Sequence, residues 1–217
     1  MKFASLLPAA ISMASIFTVL SLHSCQEEEV VNPPFRQDLA DIETTSVGAN
    51  ATLTRDDGTA LTIDNSSVLG KLSPNVIYRA LAVYVETDKS AHIYGCTKVL
   101  SPQPEEFKES SMRRDPVKKV LAAWRGGRYI NLHLTVATTN HSQHFAFADK
   151  GLKQNHDGSL TWQIELYHNQ NKDGYYYSRE VYISCPINGK EELQSGRDSV
   201  AMTINTYGGT ITKRLRY

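Results

Sequence analysis

The sequence predicts an all-β protein with two domains, a small N-terminal antiparallel barrel followed by a C-terminal antiparallel β-sandwich. Short stretches rich in β-branched and aromatic residues recur along the chain, and turn-forming residues separate them. Several stretches alternate strictly, as Leu160, Trp162, Ile164 and Leu166 do with Thr161, Gln163, Glu165 and Tyr167. The length of 217 residues allows one or two modest domains.

The barrel is predicted over residues 47–101. It contains two hairpins, residues 50–63 around the turn Asp56-Asp57-Gly58-Thr59 and residues 76–100 around Thr87-Asp88-Lys89-Ser90. Strands so close together in the chain favour a small antiparallel barrel that is closed or nearly closed.

The sandwich is predicted over residues 116–217, after a linker at residues 102–115 that carries prolines and a charged cluster. Its first hairpin turns at Arg125-Gly126-Gly127-Arg128, and its last turns at Gly208-Gly209. About seven strands at this spacing are typical of a β-sandwich.

Residues 1–24 have the features of an export signal. Lys2 precedes an apolar stretch, and Leu22-His23-Ser24-Cys25 resembles the lipobox of bacterial lipoproteins, in which the cysteine receives the lipid. The alternative is an ordinary thiol at the end of a membrane helix. We favour cleavage before Cys25 and lipid attachment to it, which would hold the mature protein on a membrane.

Residues 25–46 are acidic and polar without sustained periodicity, which predicts a lipidated flexible tether. The run Gln26-Glu27-Glu28-Glu29 resembles the surface-export signal of lipoproteins in Bacteroides-type bacteria. It favours a surface-exposed position on the outer membrane over a periplasm-facing one, and a simple solvated tether is the alternative.

Composition excludes some partners. The chain has 23 basic and 23 acidic residues, so it lacks the cationic excess that nucleic-acid binding requires. Once Cys25 is acylated, only Cys96 and Cys185 remain. A disulfide is chemically permitted in an exported protein, but the two cysteines fall in different predicted domains, so we favour two buried, unpaired thiols.

No motif points to catalysis. The chain has no G-x-S-x-G elbow, no phosphate-binding glycine loop and no H-E-x-x-H helix. His141 and His144 are the nearest approach to a metal motif, and they fit a solvated connection better than a tetrahedral site. Adjacent glutamates in loops seldom meet the geometry of a glycosidase. We therefore predict no catalytic residues, no cofactor and no metal.

Aromatic residues give the main candidate ligand site. Tyr175 and Tyr176, in the run Tyr175-Tyr176-Tyr177, and Trp124 at a turn edge are candidates for stacking on a sugar ring. In the alternative, Tyr175 and Tyr177 belong to the core and Tyr176 only covers the surface. Asp198-Ser199-Val200 matches a short O-glycosylation pattern, which makes Ser199 a candidate modification site.

These features together resemble the NigD-like lipoproteins of Bacteroides-type bacteria. The resemblance is carried by the lipobox, Asp56-Asp57-Gly58-Thr59, the Trp124–Leu132 stretch WRGGRYINL, Leu166-Tyr167-His168-Asn169 and Asp198-Ser199-Val200. Arg125 and Arg128 depart from the small or apolar residues expected beside the paired glycines. The resemblance implies an OB-type first domain, a sandwich second domain and an envelope location. It implies little about activity, because the family has no agreed enzymatic function.

The sequence thus predicts a lipid-anchored, non-enzymatic binding or interaction module of the cell envelope, with a glycan or an envelope protein as its partner. The alternative is a structural scaffold or immunity-type protein that works through protein contacts.

Overall fold

A computed structural model describes residues 34–44, 51–107 and 113–217. The export signal, Cys25 and the acidic run lie outside these residues. The described residues form one compact unit. Within the described part, no helix is long and apolar enough to cross a membrane.

The first half of the described chain is a closed five-stranded barrel. Its strands are β1 (Phe35–Thr44), β2 (Ala51–Arg55), β3 (Ala60–Ile63), β4 (Ile77–Thr87) and β5 (Ser90–Lys98). They follow the order β1-β2-β3-β5-β4, and β1 pairs with β4 to close the barrel. A short 3₁₀ helix, Ser66–Leu69, connects β3 to β4. Both predicted hairpins are present, with a closed barrel as expected.

The interior of the barrel alternates as a pleated strand requires. Ala80, Ala82 and Tyr84 of β4 point inward with Ala91 and Ile93 of β5, and all are buried. The outward residues of the same strands include Val83 and Val85, which are half-buried.

The second half is a two-sheet sandwich. Its strands are β6 (Pro104–Glu105), β7 (Lys119–Gly126), β8 (Tyr129–Thr138), β9 (His144–Gln154), β10 (Leu160–Asn169), β11 (Tyr177–Pro186), β12 (Ser199–Thr206) and β13 (Gly209–Arg216). One sheet has the order β13-β12-β10-β9-β6, and the other has the order β11-β8-β7. Buried Leu, Ile and Val side chains from both sheets form its core together with Trp162.

Two predicted boundaries are wrong. The tether predicted for residues 25–46 ends earlier, because Phe35–Thr44 is β1 and pairs with both β2 and β4. The polar residues of this segment did not indicate a strand in the sequence, because residues such as Arg36 and Asp38 find their partners only in ion pairs at the barrel surface. The predicted linker at residues 102–115 is also partly structural, because β6 pairs with β9 and the backbone amide of Asp115 donates to the carbonyl of His168.

Two predictions about side-chain burial also fail. Both cysteines of the described chain are unpaired as expected, but only Cys185 is buried, and burial raises the pKa of its thiol; Cys96 is exposed on β5. On β10, the alternation of the sequence predicts that Thr161 and Tyr167 lie on a solvent-facing side of the strand, but both are buried. Tyr167 is covered because the guanidinium of Arg114 and the ammonium of Lys150 lie over its ring.

Candidate functional site

Four exposed tyrosines form one surface at the end of the sandwich. Tyr175 and Tyr176 precede β11, Tyr177 begins it, and Tyr207 lies in the turn between β12 and β13. Their exposed fractions are 69%, 88%, 41% and 47%. The rings of Tyr175 and Tyr207 lie 6.3 Å apart. We call these four residues the tyrosine surface.

This arrangement decides between the two sequence interpretations of the tyrosine run. The alternative that places Tyr175 and Tyr177 in the core is wrong, because both are exposed. The reason is that β11 begins only at Tyr177, so the strand alternation does not reach the two tyrosines before it. The role of Tyr175 and Tyr176 in binding stays a prediction. Sequence reasoning missed Tyr207, which only the fold brings beside Tyr175.

A buried carboxylate holds the loop that carries these tyrosines. Asp173 accepts hydrogen bonds from the hydroxyl of Thr138 at 2.5 Å, the amide of Thr139 at 2.7 Å and the side-chain amide of Gln143 at 2.8 Å. The amide of Gly174 donates to it at 2.9 Å. Burial opposes ionisation of Asp173, but the hydrogen bonds prevail and hold its pKa well below the usual range.

The backbone of the same loop is tightly turned. Asn171 and Lys172 have φ values of 52° and 60°, in the left-handed region that only a few non-glycine residues adopt. Gly174 packs against Thr139 so closely that a Cβ there would lie 2.6 Å from the Thr139 methyl group. These contacts hold the backbone of the loop immediately before Tyr175 and Tyr176.

A second buried layer lies behind Asp173. The ring of His168 stacks on Phe145 with centroids 4.6 Å apart, and its Nε2 lies 2.9 Å from the side-chain oxygen of Gln143. Burial lowers the pKa of His168. Gln143 thereby connects His168 to Asp173, and this network supports the tyrosine surface from below.

Trp124, the other aromatic candidate, lies far from the tyrosine surface. Trp124 pairs with Asn131 of β8, whereas Tyr177 pairs with Thr138 of the same strand. The seven-residue separation corresponds to about 23 Å along β8. Trp124 lines a surface cleft of about 310 Å³ with residues of β1 and β2. The structure therefore does not bring Trp124 into one site with Tyr175 and Tyr176.

The cleft of Trp124 borders the junction between barrel and sandwich. Arg79 of β4 lies at the centre of this junction. The buried Arg79 guanidinium lies 2.7 Å from Asp56 and 3.3 Å from Asp41, and it donates to Asn131 at 3.1 Å and to Ser184 at 3.2 Å. Its cationic carbon lies 4.1 Å from the centre of the Tyr129 ring. Asp56 belongs to the turn Asp56-Asp57-Gly58-Thr59, and Asn131 belongs to the Trp124–Leu132 stretch.

The paired glycines of the β7–β8 turn allow this junction to close. A Cβ on Gly126 would collide with the Asp56 carboxylate, and one on Gly127 would lie 2.9 Å from the Asp56 carbonyl. Arg128 also contributes, because it donates to Asp41 at 3.0 Å. The turn is thus shaped to receive the first hairpin of the barrel.

The remaining candidates have structural surroundings. Ser199 is half-buried, and its hydroxyl lies 2.9 Å from that of Thr161. Asp198 before it is buried and accepts from the backbone amides of Leu160 and Gln194. Modification of Ser199 stays a prediction. Among the described residues, no three His, Cys, Asp or Glu side chains converge on a metal site.

The C-terminal half of the chain decides the family. The model of the NigD-like C-terminal beta sandwich domain matches residues 99–217, which is more than half of the chain. The chain belongs to this family. The NigD-like domain thus contains both the tyrosine surface and the sandwich side of the Arg79 junction.

Solved structures resemble the NigD-like chain over most of its length. A NigD-like immunity protein of Bacteroides caccae is 24% identical, with a TM-score of 0.63 over 83% of this chain and 92% of its own. A candidate toxin-related protein of Parabacteroides distasonis is 16% identical, with a TM-score of 0.67 over 85% and 93%. A candidate lipoprotein of Bacteroides fragilis is 14% identical, with a TM-score of 0.58 over 85% and 98%. No match to a curated protein was found. At these identities the likeness shows the fold.

Proposed function

We propose that the protein is a lipid-anchored, non-enzymatic binding module of the bacterial cell envelope, and that the tyrosine surface is its recognition site for a glycan. The observation that carries the proposal is that Asp173 and its partners hold the loop from which the exposed side chains of Tyr175 and Tyr176 project. A binding loop whose backbone is already ordered loses little conformational entropy when a ligand binds, so more of the contact energy appears as affinity.

The chemistry of the tyrosine surface suits a sugar. Tyrosine offers a flat apolar face for the C–H groups of a pyranose and a hydroxyl that can bond to its oxygens. An ordinary tyrosine has a pKa of about 10 and is neutral at physiological pH, and partial burial raises the pKa of Tyr207 further. A neutral aromatic surface favours an uncharged ligand face over a highly charged one.

The glycan proposal is tested with a carbohydrate array followed by calorimetry. The Tyr176→Ala variant is expected to bind the selected carbohydrate about tenfold more weakly, or about 1.4 kcal/mol. Tyr94→Ala is the matched control, because Tyr94 is an exposed tyrosine on the barrel. Equal affinity of Tyr176→Ala and the native chain would exclude Tyr176 from the site.

A protein partner is the second candidate. Tyrosine is also enriched at the energetic centres of protein interfaces, and one of the similar structures is a NigD-like immunity protein. In this case the protein would bind no carbohydrate on the array, and the Tyr176→Ala substitution would weaken a protein complex instead. The two candidates share the same surface and differ in the ligand.

The membrane anchor rests on the Leu22-His23-Ser24-Cys25 motif and on the similarity to a candidate lipoprotein. Radiolabelled palmitate is expected to appear in the native protein and not in the Cys25→Ala variant. Label in both proteins, or in neither, would contradict the anchor.

Surface exposure rests on the run Gln26-Glu27-Glu28-Glu29. Protease added to intact cells is expected to degrade the native protein and to spare a variant with alanines at these four positions. Lysed cells, in which both forms are degraded, provide the control. Protection of both forms on intact cells would place the protein on the periplasmic side.

A further inference from the structure

An apolar strip covers the outside of the barrel where β1 begins. Phe35 and Tyr94 are 64% and 58% exposed, and their rings make an edge contact with centroids 4.7 Å apart. Val85 belongs to β4, which lies between β1 and β5. It pairs with Phe35 of β1 on one side and with His92 of β5 on the other. We call Phe35, Val83, Val85, His92 and Tyr94 the aromatic strip.

Several charged groups beside the strip have partners within the barrel. Arg36 lies 3.3 Å from Asp38 and 3.5 Å from Glu86, and the Nδ1 atom of His92 lies 2.8 Å from Asp64. A partner that binds here therefore gains mainly from contact with exposed rings and aliphatic groups. This chemistry suits the interfacial region of a bilayer, where aromatic side chains are enriched.

The length of the preceding chain indicates which partner is within reach. Phe35 is the first residue of β1, and ten residue steps separate it from Cys25. A fully extended chain of this length spans about 35 Å. A lipid on Cys25 would therefore keep the strip close to the membrane surface and at high effective concentration there.

We propose that the aromatic strip rests on the lipid headgroup region of the membrane that holds Cys25. This inference depends on the proposed lipid anchor and goes beyond it, because the anchor alone leaves the orientation of the barrel open. Contact through Phe35 and Tyr94 gives the folded protein a fixed base on the membrane.

The tyrosine surface is a separate part of the molecule from the aromatic strip. Along β1, Phe35 lies six residues from Asp41 at the Arg79 junction, or about 20 Å. The tyrosine surface lies at the end of β8 and β11 that is remote from that junction. A base at Phe35 therefore leaves the recognition site free for its ligand.

Hydroxyl-radical footprinting tests the proposal on the full lipidated protein in phosphatidylcholine vesicles. Oxidation of the Phe35 and Tyr94 side chains is expected to be about threefold slower than in an unlipidated reference, residues 25–217 with Cys25→Ser, because shallow insertion excludes water from them. Tyr176 in the same sample is the internal control and should be oxidised at the same rate in both. Equal rates at Phe35 and Tyr94 in both samples would overturn the proposal.

Two further measurements separate this inference from its alternatives. The mass of the N-terminal peptide shows whether Cys25 carries lipid. If Cys25 is lipidated and the strip is not protected, the membrane contact is refuted and the anchor stands. If Cys25 carries no lipid, both the anchor and the contact are refuted. Protection that disappears when the protein-to-lipid ratio is lowered would show contact between copies and overturn the membrane contact. The Phe35→Asp substitution should restore Tyr94 oxidation, whereas Tyr175→Asp should not.

Discussion

At the scale of single residues, Asp173 determines the position of the tyrosine surface. Its carboxylate gathers donors from two segments, residues 138–143 and Gly174, that are distant in the chain. Nothing in the local sequence marks Asp173, because all that surrounds it is a polar loop between two strands. Tyr175 and Tyr176 could be selected from the sequence as candidates, whereas the group that orders them could not.

Replacing Asp173 should disturb both stability and recognition. In Asp173→Asn an amide nitrogen replaces one acceptor oxygen, so a donor faces the donors of Thr139 or Gln143. We expect the melting temperature to fall by about 5 °C or more. Calorimetry should show weaker ligand binding although every tyrosine is retained. A native melting temperature would contradict the role assigned to Asp173.

The same carboxylate predicts a dependence of stability on pH. The folded pKa of Asp173 is lowered, whereas an unfolded aspartate has a pKa of about 3.9. Its contribution to the free energy of unfolding is therefore complete above the unfolded pKa and is lost as the pH falls towards the folded pKa. Urea unfolding at a series of pH values should show the native protein and Asp173→Asn converging below about pH 4. A constant difference in stability across this range would refute the assignment.

At the scale of elements, the alternation of apolar and polar residues predicted the strands that bury one face of their sheet. The hairpins of the barrel are of this kind. Alternation also predicted the strand Leu160–Asn169, although Thr161 and Tyr167 on its second face are buried as well. The sequence did not predict strand β1, because FRQDLADIET has polar residues on both its inward and its outward side. These polar side chains gain their hydrogen-bond and ion-pair partners only when β4 pairs beside β1. Its existence follows from barrel closure, which is a property of the fold and not of the segment.

The β7–β8 turn offers a test of element packing. Gly126→Ala places a methyl group against the Asp56 carboxylate, and we expect a loss of about 1–3 kcal/mol in the free energy of unfolding. Gly95→Ala is the matched control, because a Cβ there meets Val83 at an ordinary 3.7 Å. Urea unfolding of the two variants measures the difference. Similar stabilities would show that the turn does not require close approach.

At the scale of the whole molecule, Arg79 joins barrel and sandwich through a buried charge network. Asp41 and Asp56 come from the barrel, and Asn131 and Ser184 come from the sandwich. The sequence indicated two domains with a linker between them, but it did not indicate that a buried arginine connects them. Such a network is non-local, so no periodicity or motif reports it.

Removing this cation should weaken the coupling between the two halves. In Arg79→Met, Asp41 loses its contact with Arg79 and Asp56 is left without a cation, and we expect a loss of about 3–5 kcal/mol. The exposed pair Arg36–Asp38 supplies the control, because Arg36→Met should cost less than about 1 kcal/mol. Scanning calorimetry should show one transition in the native protein and two in Arg79→Met. A single, unshifted transition in Arg79→Met would contradict the coupling.

The measurement that tests the central claim most directly is an NMR titration of unlipidated residues 25–217, carrying Cys25→Ser, with the carbohydrate selected on the array. Recognition by the tyrosine surface predicts that the largest chemical-shift changes fall in residues 171–177 and at Tyr207, with little change elsewhere. A second surface cleft, of about 360 Å³, lies beside the junction and is lined by Asp41, Arg55 and Arg128. Changes concentrated at this cleft would contradict the claim and move the binding site to the opposite end of the sandwich strands.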